Sequence, residues 1–115
     1  MRARIVASEP DWATLVIDAP DRALTRRLLN FYCDHHRNGW IGRQLAGLFH
    51  QAGLLEVGIM PTTLVVTDYA VLREAVWLPA TLERARQAGV VSDSEVADWL
   101  APLEEASRAG RFSAR

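Results

Sequence analysis

Lysine is absent from this chain, cysteine occurs once, and no apolar run nears the roughly 20 residues that a membrane-spanning helix requires. The single thiol, Cys33, excludes an internal disulfide framework and suits a reducing compartment. All 13 basic residues are arginine, a bias expected of a GC-rich genome, and 14 acidic residues balance them. At a net charge of -1 no electrostatic excess exists to draw in nucleic acid or an anionic membrane surface. The opening Met1-Arg2-Ala3-Arg4-Ile5-Val6 turns acidic at Glu9, before the apolar core of a signal peptide can form. A cytoplasmic protein is expected, with neither nucleic acid nor membrane as a partner. Glycine-rich phosphate loops are missing too: the glycines stand at 39, 42, 47, 53, 58, 89 and 110 and never spell Gly-x-Gly-x-x-Gly. Metal-ligand spacing is likewise lacking. Cys33, Asp34, His35, His36 and His50 include no Cys-x-x-Cys or His-x-x-x-His pair, so no metal site is expected. Cys33 falls on an apolar helix face and reads as core rather than as a nucleophile.

What is present is apolar substance: half of the 115 residues, enough for one domain with a real core. Residues 4–8 form a short apolar run ended by Glu9-Pro10-Asp11, the pattern of a buried strand followed by a loop. Leu15-Val16-Ile17 reads as an ordered segment leading into a helix. From Asp21 the spacing turns helical, with Leu24, Leu28, Leu29, Tyr32 and Cys33 on one face, until Asn38-Gly39 breaks it. Ile41, Leu45, Leu48, Phe49 and Ala52 then mark a second amphipathic helix, with Gly53 placed for a left-handed cap and Leu54 beyond it. Residues 55–60 and 62–67 are rich in β-branched side chains and predict one strand interrupted at Pro61, or two short ones in line. The rest predicts helices: 69–88 with Pro79 as a kink or restart, then a helix opened by the capping box Ser92-Asp93-Ser94-Glu95 and closed at Gly110. The order strand, helix, helix, strand, helix, helix is that of an α/β protein.

Three of these stretches carry a family likeness. Arg4-Ile5-Val6-Ala7-Ser8-Glu9-Pro10-Asp11-Trp12 resembles strand five of the class I S-adenosylmethionine-dependent methyltransferases, with Met1-Arg2-Ala3 where that family has a Pro-Gly-Gly turn. The run from Asn38-Gly39-Trp40-Ile41-Gly42-Arg43 to Ala52-Gly53-Leu54 is similar to the helix before strand six, and Leu55 to Val66 to strand six itself. The resemblance implies a partial Rossmann-like methyltransferase fold over residues 1–115, strand-helix-helix-strand over 1–68 and a helical insertion over 69–110. It also implies that the N-terminal cofactor-binding half is missing. S-adenosylmethionine is then the cofactor of the full-length family, and no tight binding to this chain alone is expected. Strand seven, which lies between strands five and six in the family, is not reached. The ladder groups of those strands therefore need water, each other or a partner chain.

In such a sheet ligands bind beyond the carboxyl ends of the strands, so Asp11 and Trp12 are expected at the acceptor, with Glu9 on the cofactor side. Tyr32, Trp40 and Arg43 join them as acceptor-side candidates, with core packing the alternative for the two aromatics, and with Arg43 holding Asp11 or an anionic group of the substrate or else lying free on the surface. His35 and His36, near the end of the first helix, are the candidate general bases, or else a solvated pair. Trp77 and Trp99, at helical spacing, read as packing residues. The functional expectation is the acceptor-binding portion of a small-molecule methyltransferase, inactive alone. The alternatives are a non-catalytic ligand-binding or dimerisation module and one chain of a split enzyme. The expected partners are a small-molecule acceptor and either a second copy or the missing half.

Overall fold

A computed structural model describes residues 2–115. After an extended arm and a 3-10 turn at Trp12–Thr14 come five helices: α1 (Arg22–Asp34), α2 (Ile41–Gln51), α3 (Tyr69–Ala75), α4 (Leu78–Gln87) and α5 (Asp93–Arg108). Their ends follow the local chemistry of the sequence. Asp21, Asp68 and Ser92 accept hydrogen bonds from backbone amides of the first turns of α1, α3 and α5, and Ser92 and Glu95 complete the reciprocal capping box. α2, α4 and α5 end alike. The amides of Leu54, Val90 and Arg111 donate back to Phe49, Ala85 and Ala106, which places Gly53, Gly89 and Gly110 at positive φ. Pro79 does not kink a long helix but lies in the first turn of α4, where its missing N–H costs nothing.

The core is made by helices. Leu24, Leu28 and Phe31 of α1 meet Leu72 of α3, Leu78, Leu82 and Ala85 of α4, and Trp99 and Leu103 of α5. Ile17, Ala19, Val91, Phe112 and Ala114 close its ends. One buried polar chain crosses it: the Trp99 indole N–H donates to Thr25 Oγ1 at 2.9 Å, and that hydroxyl donates to the Asp21 carbonyl at 2.6 Å. No polar side-chain atom is left buried and unpartnered among the described residues. On the surface, Arg27 ties α1 to the start of α5 by donating to the Val90 carbonyl and to Glu95.

The α/β, Rossmann-like expectation is corrected by this architecture. Residues 4–8 and 55–65 form no strand and pair with nothing, the latter opening on a bend at Leu55–Glu56 with Glu56 at φ 55°, and bridges among the described residues are confined to single antiparallel ones of Ala114 with Ile17 and with Val66. The reason is physical. β-branched composition favours an extended backbone, whereas a strand exists only when a neighbouring backbone satisfies its N–H and C=O groups. Here those groups face water, and so do their side chains: Val6 is 93 % exposed, Leu55 88 % and Met60 89 %. α2 shares this openness. It is amphipathic, as its spacing predicts, yet it buries none of its residues fully.

Candidate functional site

The end of α1 and the 3-10 turn bring four of the expected site residues together. Trp12 stacks on His36 with ring centroids 5.0 Å apart, and Tyr32 meets both edge-on at 5.1 and 4.5 Å. Phe31 and His35 lie against each other at 3.8 Å on the adjoining turn. The positions follow from helical periodicity, since residues 31 and 35, and 32 and 36, are one turn apart. Each histidine Nδ1 lies on the carbonyl four residues earlier, His35 on Phe31 at 2.9 Å and His36 on Tyr32 at 2.8 Å. A carbonyl only accepts, so Nδ1 carries the proton in both rings. In the neutral imidazole this leaves the lone pair on Nε2.

These rings form one wall of a cleft of about 480 Å³. The opposite wall is the α3–α4 junction: Ala75, Val76, Trp77, Thr81 and Arg84, with Arg37 at the rim beside His36. Trp77 corrects its expected role as a packing residue. It is 72 % exposed and sits in the left-handed backbone region at φ 48°, ψ 52°. Trp99, by contrast, is buried to 2 % exposure in the core. Helical spacing does not separate the two, because Trp77 lies in the break between helices, where the 3.6-residue period no longer applies. A left-handed non-glycine residue is costly, and such residues gather at ligand clamps. Burial pushes the Tyr32 phenol up from its ordinary value, so it stays a protonated donor through the neutral range.

The remaining expected residues lie beside the cleft rather than in it. Arg43 grips Asp11 through two hydrogen bonds, Nε to Oδ2 at 2.7 Å and Nη2 to Oδ1 at 3.0 Å, and its guanidinium lies 4.4 Å from the Trp40 ring centroid. With the guanidinium fork and both carboxylate oxygens engaged, this trio braces the arm against α2. Two glycines permit that approach. A Cβ on Gly42 would stand 2.8 Å from the Pro10 carbonyl, and one on Gly39 only 2.5 Å from the Cys33 carbonyl oxygen. The Gly39 carbonyl accepts from the Trp12 amide at 3.0 Å, which sets the indole over α1. Glu9 is exposed on the arm and lines no part of the cleft. Cys33 is buried, and burial, reinforced by Asp34 and Asp11, pushes its thiol up, which suits a packing role.

The sequence pattern singled out Tyr32, His35 and His36 separately, without grouping them with Trp12. Arg37, Trp77, Thr81 and Arg84 escaped it because they come together only through the packing of α4 on α1. No Asp or Glu lines the cleft. That lining does not suit S-adenosylmethionine: a sulfonium beside Arg37 and Arg84 is repelled, and no carboxylate is present to take the ribose hydroxyls. No group of three or more His, Cys, Asp or Glu side chains placed to hold a metal occurs among the described residues. Nor is any helix among them long and apolar enough to cross a membrane.

No family model and no solved structure matches the chain. It is similar to an uncharacterized 37.1 kDa protein in transposon TN4556 of Streptomyces fradiae, 38 % identical over 98 residues. That similarity covers 84 % of this chain but 28 % of the transposon protein, so the chain spans little more than a quarter of its relative's length.

Proposed function

We propose that the chain is the acceptor-binding portion of an S-adenosylmethionine-dependent small-molecule methyltransferase, inactive by itself, with the cleft between α1 and the α3–α4 junction as the acceptor pocket. One observation carries it. Trp12 and Tyr32, expected on the acceptor side, and His35 and His36, the candidate bases, share a single aromatic cleft of a volume suited to a small molecule. In this role Trp12 and Tyr32 wall the acceptor, and His36, its Nδ1–H anchored to a carbonyl, presents Nε2 to take a proton from it. Asp11 and Arg43 act as positioning residues that hold Trp12 in place. Supply of the methyl group falls to a part of the enzyme outside these residues, in keeping with the greater length of the transposon relative. The proposed compartment is the cytoplasm, which a lone unpaired cysteine favours.

The test is an NMR titration of this chain with naphthalene-2-carboxamide, a flat neutral probe, and separately with S-adenosylmethionine. The amide is expected to move the indole signals of Trp12 and Trp77, and the cofactor to leave the spectrum unchanged. Tight cofactor binding by the chain alone would overturn the proposal, as would cleft signals unmoved by any aromatic probe.

The exposed apolar segments favour a second reading, a module that assembles with another chain through its unpaired backbone. Sedimentation velocity separates the two. A concentration-independent monomer counts against assembly through a second copy.

A further inference from the structure

We infer that the cleft takes an anion carried on a flat aromatic body, an aromatic carboxylate above all. This rests on the cleft being the ligand site proposed above and adds the charge and shape of what enters it.

The inference comes from what the walls bring together. Arg37 and Arg84 both line the cleft, together with the imidazoles of His35 and His36 and the aromatic rings. No carboxylate balances them within the cleft, and neither arginine forms an ion pair among the described residues. Three other arginines are paired: Arg27 with Glu95 and Arg43 with Asp11 between elements, and Arg86 with Glu83 within α4 and with Asp93 of α5. Cationic side chains converging without a counter-charge are complementary to an anion, and a guanidinium fork matches a carboxylate in two hydrogen bonds.

The shape of the ligand follows from the aromatic side chains. Trp77 stands at the mouth, largely exposed and held there by a left-handed backbone, while the stacked Trp12–His36 pair forms the facing wall. An exposed indole opposite a stacked ring pair is suited to closing over a flat π-system, which prefers offset or edge-on contact with each. A ring between these surfaces directs a carboxylate substituent toward Arg37 or Arg84.

The experiment compares 2-naphthoate with naphthalene-2-carboxamide, equal in shape and different in charge, by calorimetry against the whole chain. Naphthoate is expected to bind at least 10-fold more tightly. Arg84→Gln and Arg37→Gln should each remove most of that margin while leaving the amide's affinity unchanged, and Trp77→Ala should weaken both ligands. The naphthoate advantage should also shrink as salt rises, as a charge contact requires. Equal affinity for acid and amide, with the Trp12 and Trp77 signals moving for both, would overturn the anion inference and leave the acceptor pocket standing. Failure of both compounds to move those signals would overturn the pocket itself. A naphthoate preference that survives Arg37→Gln and Arg84→Gln together would place the anion elsewhere and equally refute the inference.

Discussion

Trp77 shows how a single residue reports on function against its own stability. A non-glycine residue in the left-handed region is strained by about 1 kcal/mol, and the exposed indole recovers little of that through burial. Trp77→Gly is therefore expected to stabilise the fold by up to about 1 kcal/mol, read as a rise in the thermal midpoint, while weakening naphthoate binding. Loss of both together would mean that the indole packs and does not clamp. Glu95 is the second residue with a measurable signature. The hydrogen bond from Arg27, followed by that from the Ser92 amide, holds its carboxyl below the ordinary glutamate value. A folded-state pKa lowered in this way adds stability that is present above the unfolded value and lost as pH falls through the folded one. Urea unfolding across the acid range should show that loss, and Glu95→Gln should flatten it. An unchanged acid slope in Glu95→Gln would show that the pair contributes nothing.

At the scale of elements, the arm and α2 depend on one another. The arm reaches α2 because Gly42 leaves room for the Pro10 backbone, and the Asp11–Arg43 fork then fixes the start of the 3-10 turn that carries Trp12. Gly42→Ala is expected to push the arm away, separate Trp12 from His36 and reduce ligand binding, with α1, α4 and α5 intact by circular dichroism and amide exchange. If the Trp12 indole signal stays where it is, the close approach is not what seats it. The helices themselves were largely legible from sequence. The capping box at Ser92, the glycines at 53, 89 and 110 and the apolar stripe of α1 are local features, readable without knowing what packs where. The break at Trp77 was not, since Pro79 marked a disturbance in the pattern but not which residue would absorb the turn.

For the whole molecule, size and shape tell the same story as exposure. The radius of gyration is 17.1 Å, against about 13 Å for a compact chain of this length, and the extents are 58 × 32 × 20 Å. The excess belongs to the extended segments, whose backbone groups have no partners in the fold. Hydrogen exchange read by mass spectrometry should therefore find residues 2–10 and 55–65 close to unprotected and the centres of α1, α4 and α5 slow. Strong protection in 55–65 would reveal pairing, within the chain or between chains, that the monomer lacks.

Sequence alone determined the capping box that opens α5, the glycines that end α2, α4 and α5 and the amphipathic faces of α1 and α2, because each depends on neighbours within a turn or two. It also offered Asp11 as one partner for Arg43, since a cation at the start of a helix calls for an anion, but left a substrate anion and a free surface position open until the fold joined the two side chains. Tertiary structure alone decided whether the apolar, β-branched stretches become strands. Strand formation depends on a second backbone, and within this chain the helices pack on one another and leave those stretches in water. It also decided which residues complete the cleft. Arg37 and Arg84 are distant in sequence and share a cleft only because α4 packs against α1.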